Sequence, residues 1–222
     1  MVSFVLILLT LAVLVVLQLC KTGPREADKV LRERLRRGSS AHVVERYFHP
    51  AHSWVLTGSS ETVLVGVDDF AQRMIGTIES IGLPLLGHRL AQGQVLATLR
   101  RGGKALTCIA PVSGVVVAVN DGLHHHPEWV NDSPYERGWM IELAPASLNR
   151  ELRNLLKGIV AERWQEAVRA ELVRWFTPRM EAVLQDGGRV IDNVSDLVDD
   201  EGWELLVREF FPVVTPVWIN WN

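Results

Sequence analysis

Residues 95–120 read VLATLRRGGKALTCIAPVSGVVVAVN, three short apolar runs parted by Gly102-Gly103 and by Pro111-Val112-Ser113-Gly114. Glycine and proline at such spacing mark turns between strands. The pattern continues outward on both sides, through SWVLT (53–57) and TVLVGV (62–67) before it and WMIELA (139–144) after it. Gly58-Ser59-Ser60 and Gly93-Gln94 are further turn candidates, and Asp68-Asp69-Phe70-Ala71-Gln72 predicts a short helix capped by an acid. From Tyr47 to about Leu143 the spacing therefore predicts an all-β sandwich or barrel.

The order of the pieces carries a resemblance. Phe48-His49-Pro50-Ala51-His52-Ser53-Trp54-Val55, Val65-Gly66-Val67-Asp68-Asp69-Phe70-Ala71-Gln72, and Leu83-Pro84 with Gly87 come first. Ala110-Pro111-Val112-Ser113-Gly114, Val119-Asn120, Pro127-Glu128-Trp129-Val130-Asn131, Pro134-Tyr135 and Gly138-Trp139 follow. Together, over about residues 47–157, they resemble the H-protein family of the glycine cleavage system. The resemblance implies a mainly β, lipoyl/biotinyl-type barrel-sandwich hybrid with short flanking helices. It also implies carrier chemistry, in which a lysine at a hairpin tip bears a lipoyl arm that takes an aminomethyl group between enzymes.

Here the chain departs from the family pattern. An ungapped match from Val65 to Gly114 puts the modified-lysine column on Gly103, with Lys104 one residue later. A one-residue displacement in a hairpin moves a side chain to the other face. Arg100-Arg101-Gly102 also stands where the family has Glu-Ser-Val, so base replaces acid beside the turn. The expectation is a non-lipoylated version with no cofactor. Lipoyl attachment to Lys104 is the alternative, since glycines permit several turn geometries. A free hairpin tip further implies that Lys104→Ala leaves folding intact.

The full chain has 222 residues, 48% hydrophobic and 22% charged, which excludes disorder and low-complexity architectures. A net charge of −3 gives no support to a nucleic-acid partner. Residues 2–20, VSFVLILLTLAVLVVLQLC, carry no charge, and at about 1.5 Å per residue they match a ~30 Å bilayer core. No basic segment precedes the run and no A-x-A site ends it, so residues 1–20 are expected to be a retained transmembrane helix. Phe4, Leu8, Leu11, Leu14 and Leu17 would face lipid.

Residues 21–40 hold seven Lys/Arg against three acids. That asymmetry predicts a single-pass protein of the plasma (inner) membrane with its body in the cytoplasm. Residues 21–46 are expected to be a basic juxtamembrane helix and linker, and 47–147 the β domain.

Other candidate chemistry is weak. His124-His125-His126 supplies three imidazoles, but adjacent residues of a loop point different ways and no acid or cysteine cluster accompanies them. His49 and His52 are expected to pack or lie on the surface, and Asp68 and Asp69 to serve as helix caps. Cys20 and Cys108 form no CxxC motif. With no phosphate loop, GxSxG or HExxH sequence, no catalytic residue is expected.

Beyond Ser147 the period changes. Leu148, Leu152, Leu155, Leu156, Ile159, Trp164, Val168, Leu172, Trp175 and Phe176 predict one amphipathic helix over 148–176. Gly187-Gly188 would break a second helix, and Asp199 or Asp200 would cap a third bearing Trp203, Leu206, Val207, Phe210 and Phe211. The tail PVVTPVWINWN is apolar. Within this 148–222 extension, Trp203, Phe210, Phe211, Trp218 and Trp221 are the candidate partner-docking residues, because aromatic side chains dominate interface hot spots. The expected function is a non-catalytic accessory or scaffold subunit of a membrane-associated complex, with the lipid bilayer and other protein subunits as partners. The alternative is a membrane-tethered lipoyl carrier for glycine cleavage or related chemistry.

Overall fold

The computed structural model describes residues 44–58, 60–177 and 193–211. Nine strands occur among them: β1 (Glu45–Phe48), β2 (Ser53–Thr57), β3 (Val63–Val67), β4 (Ser80–Gly82), β5 (Arg89–Leu90), β6 (Val95–Arg101), β7 (Lys104–Ile109), β8 (Gly114–Val119) and β9 (Ile141–Pro145). They form a six-stranded sheet in the order β1-β2-β3-β9-β8-β5 and a three-stranded sheet in the order β4-β6-β7. Every pairing between strands is antiparallel. The helices are α1 (Asp69–Ile75), α2 (Trp129–Asp132), α3 (Leu148–Glu151), α4 (Gly158–Phe176) and α5 (Asp200–Phe210).

Burial explains which strands are central. All five residues of β3 are buried, as a strand covered on both faces requires. In β6, Leu96, Ala97 and Leu99 turn inward while Val95 and Arg100 are exposed. Val55, Val65, Ile141 and Leu143 of the larger sheet share one core with Leu99, Leu106 and Cys108 of the smaller. The mainly β expectation for this region therefore agrees with the structure, with β1 beginning at Glu45, inside the expected linker. The expected acidic cap is also present, as the Asp68 carboxylate accepts from Ala71 N at 3.0 Å and opens α1.

The single helix expected over 148–176 is instead two. After α3 and a 3-10 turn over Leu152–Asn154, Leu155 is extended, and Leu156 and Phe48 exchange two backbone hydrogen bonds of 2.8 Å. Leu156 thus adds one rung to the open edge of β1, which a helical residue could not do. Gly158, with φ of 52°, then turns the chain into α4 through a conformation that favours glycine. The leucine spacing carried across the break because both pieces bury apolar residues in the same core.

The extension closes that core. Leu172 and Phe176 of α4, and Trp203, Leu206 and Phe210 of α5, belong to the same apolar cluster as the strands. The 3-and-4 spacing of the α5 residues gives it a buried stripe, with each side chain contributing about 2 kcal/mol. Arg169 of α4 also donates to Asp69 at 3.0 Å, joining the extension to the start of α1.

No helix among the described residues is long and apolar enough to cross a membrane. The expected span at 2–20, its lipid-facing residues Phe4, Leu8, Leu11, Leu14 and Leu17, and the Gly187-Gly188 break lie outside the described residues.

Candidate functional site

The β6–β7 hairpin closes through Gly102 and Gly103, with Arg101 and Lys104 paired across the last rung. Gly102 has a φ of 54°, which suits a two-residue hairpin loop. Its N–H donates to Glu79 Oε2 at 2.9 Å, so the turn is held from the β4 side. Gly103 has no side chain and open space around it. Lys104 is therefore the first residue of a strand and does not occupy the turn.

The other side of the hairpin is covered by residues 193–203, a strap made of a 3-10 turn (Val194–Leu197) and the start of α5. Lys104 Nζ donates to the main-chain carbonyls of Ser195 and Val198, the latter at 2.5 Å. Its cross-strand partner Arg101 donates to Asp196 Oδ2 at 2.6 Å, Asn193 Oδ1 at 3.2 Å and Ile75 O at 3.4 Å. The strap has its own attachments as well. Ser195 Oγ donates to Ile75 O at 2.6 Å, and Trp203 Nε1 to Ala105 O at 3.1 Å. Asp199 caps α5 by accepting from Gly202 N at 2.9 Å.

Beside the hairpin runs an open groove of about 780 Å³, walled by Gly103, Lys104 and Ala105 on one side and Trp203, Val207 and Phe211 on the other. A lipoyl group needs a lysine Nζ free to form an amide. Gly103 offers none and Lys104 is engaged by two carbonyls, so the hairpin as arranged does not fit that group.

Behind the groove lies a buried polar pair that sequence reasoning did not anticipate. His52, with a φ of 64°, is 1% exposed, and its Nδ1 lies 2.9 Å from Asp68 Oδ2. The imidazole stacks between Phe70 (4.2 Å) and Trp164 (5.0 Å), with Phe211 at 4.9 Å. It thus touches barrel, α1, α4 and the end of α5 together. A His followed by an N-cap Asp sixteen residues on was the available signal, though sequence alone does not bring the two together. Burial, reinforced by His52, pushes the neighbouring His49 imidazole down to about 4. Burial opposes ionisation of Asp69, but the Tyr135 hydroxyl and the Arg169 and Arg73 guanidiniums outweigh it and hold the carboxyl below its usual range.

The remaining candidates fall into place around this. Three of the expected docking residues, Trp203, Phe210 and Phe211, are 5%, 6% and 3% exposed and face the chain's own core. They pack against the barrel and α1 rather than standing out as a docking surface, with Trp203 and Phe211 only bordering the groove. Trp218 and Trp221 lie outside the described residues. The three consecutive histidines are exposed, with His126 stacked on Trp129 at 4.8 Å and its Nδ1 3.0 Å from Glu128. Among the described residues, no group of three or more His, Cys, Asp or Glu side chains is arranged to hold a metal ion. The Cys108 thiol is buried, and burial with the nearby Asp68 charge raises its pKa and keeps it protonated.

Residues 46–168 match the family model described as glycine cleavage H-protein. The chain belongs to the glycine cleavage H-protein family. The glycine cleavage system H protein of Anoxybacillus flavithermus is 36% identical over 124 residues, which are 56% of this chain and 94% of that protein. That of Thermus thermophilus is 35% identical over 127 residues, 57% and 95% of the two chains. The crystal structure of a glycine cleavage system H protein from Mycobacterium marinum superposes with a TM-score of 0.46 at 22% identity, covering 56% of this chain and 97% of that one. The H-protein match takes in both sheets and the first half of α4. It stops before the strap.

Proposed function

We propose that this H-protein family member is a non-catalytic accessory or scaffold subunit of a membrane-associated complex, held to the bilayer by residues 2–20. The observation that carries the reading is the engagement of Lys104 Nζ by the carbonyls of Ser195 and Val198. The family's carrier chemistry depends on a lysine that projects freely from the hairpin, whereas here the lysine fastens the extension to the barrel. The uncharged run ending in a basic collar supports the anchor and a body on the cytoplasmic side. The apolar tail at 212–222, with Trp218 and Trp221, supplies docking residues for other subunits.

A second reading, a membrane-tethered lipoyl carrier with its group on Lys104, is favoured by membership of the family itself and requires the strap to open. The intact mass of protein purified from native membranes separates the two. An unmodified mass with stoichiometric co-purifying subunits supports the scaffold. A lipoyl adduct on Lys104 overturns it in favour of the carrier.

A further inference from the structure

The strap and the hairpin lysine, whose contact also carries the scaffold reading, together form a device that extends beyond the family match. We propose that residues 193–203 are a built-in lock on Lys104: docked, they make its Nζ inert as an acyl acceptor, and undocked, they leave a reactive amine at the hairpin.

The argument begins with what acylation needs. An amine attacks an activated carbonyl through its lone pair, so an ammonium must first lose a proton and then point its nitrogen at the incoming carbon. Lys104 Nζ directs hydrogens at two main-chain carbonyls, Ser195 O and Val198 O. Those acceptors are backbone, so no side-chain titration alters them. The side chain is also half-buried beneath the strap.

The strap's hold does not depend on Lys104 alone. Val194 and Ser195 are buried, Ser195 Oγ is bonded to Ile75 O, and Asp196 takes the Arg101 guanidinium. Removal of these side-chain contacts loosens the strap while leaving both of the lysine's acceptors chemically present. That separation makes the lock testable.

The 222 residues contain four lysines, Lys21, Lys29, Lys104 and Lys157. Lys157 is the internal reference, with its side chain 53% exposed, paired with Glu45 at 3.0 Å and lying over the Tyr47 ring. Purified, unmodified protein comprising all 222 residues is treated with the N-hydroxysuccinimide ester of acetic acid, and acetylation at each lysine is followed by peptide mass spectrometry. In this reaction the neutral amine forms an amide, N-hydroxysuccinimide departs as its anion, and the lysine proton goes to solvent.

Lys104 is expected to react about tenfold more slowly than Lys157, a ratio that needs only ~1.4 kcal/mol of docking free energy. In Ser195→Ala/Asp196→Ala the Lys104 rate should rise severalfold with Lys157 unchanged. Trp203→Phe, which keeps the ring packing and loses the bond to Ala105 O, should raise it by a smaller factor. Equal rates at Lys104 and Lys157 in the unsubstituted chain overturn the lock, whether or not the variants fold. So does an unchanged Lys104 rate in both variants. A lipoyl adduct on native protein would remove the scaffold reading, yet the relative rates in unmodified protein would still decide the lock.

Discussion

His52 Nδ1 lies 2.9 Å from Asp68 Oδ2, and both side chains are shut off from water. The second carboxylate oxygen of Asp68 caps α1 through Ala71 N. One buried acid thus fixes both the left-handed backbone turn at His52 and the start of a helix. Asp68→Ala removes the cap, typically worth ~1 kcal/mol, and strands a buried imidazole at a further cost of 1–3 kcal/mol by order of magnitude. The variant should lose about 3 kcal/mol in denaturant unfolding, and Asp68→Asn, which keeps a cap acceptor, clearly less. Equal losses in the two variants would contradict the double role.

His49 gives the fold a dependence on acidity. Its Nδ1 accepts from Ala51 N at 3.0 Å, and burial with His52 nearby holds its folded-state value at about 4, against an ordinary 6.5. Between those two values the unfolded chain takes up a proton that the folded chain refuses, so stability should fall as pH is lowered from about 6.5 towards 4. Thermal midpoints measured across that window should slope less steeply in His49→Gln. An unaltered slope would assign the acid sensitivity to other groups.

Lys104→Ala should loosen the extension, reversing the sequence expectation of a neutral hairpin-tip change. The loss of two charge-assisted hydrogen bonds should cost roughly 1.5 kcal/mol, as the site is only half-buried. Amide exchange over residues 194–210 should accelerate more than exchange over β2 and β3. Uniform acceleration everywhere would mean that the lysine supports the barrel rather than the strap.

Deletion of 212–222 should leave the β domain folded, because the residues before it already bury Trp203, Phe210 and Phe211 in the core. Under the scaffold reading the same deletion releases the protein from its complex when membranes are gently solubilised. Trp218→Ala and Trp221→Ala should each weaken assembly by ~2 kcal/mol. Unchanged co-purification of both variants would remove the docking assignment.

Much of the barrel was legible because its strands alternate or run apolar between turn residues. SWVLT coincides with β2, and Gly102-Gly103 is the observed turn. β4 and β5 were not legible, since Ser80–Gly82 and Arg89–Leu90 are too short to show a period and exist only because their neighbours pair with them. Resemblance located the hairpin and flagged Lys104, but what holds that lysine is two peptide carbonyls more than ninety residues away. Carbonyls belong to every residue type, so no side-chain pattern announces such a contact. Trp203, Phe210 and Phe211, expected at a docking surface, are buried instead, as a buried stripe and an exposed one share the same spacing.

The rung that Leu156 adds to Phe48 has a consequence beyond fastening. β1 is one of the two outermost strands of the six-stranded sheet, and such a margin offers unpaired amides to any other extended polypeptide. With Phe48 N and O both taken up by Leu156, and the chain turning at once into α4, that margin is blunted where a stray strand would begin to pair. The blunted margin guards one copy of the chain against pairing with another along this sheet.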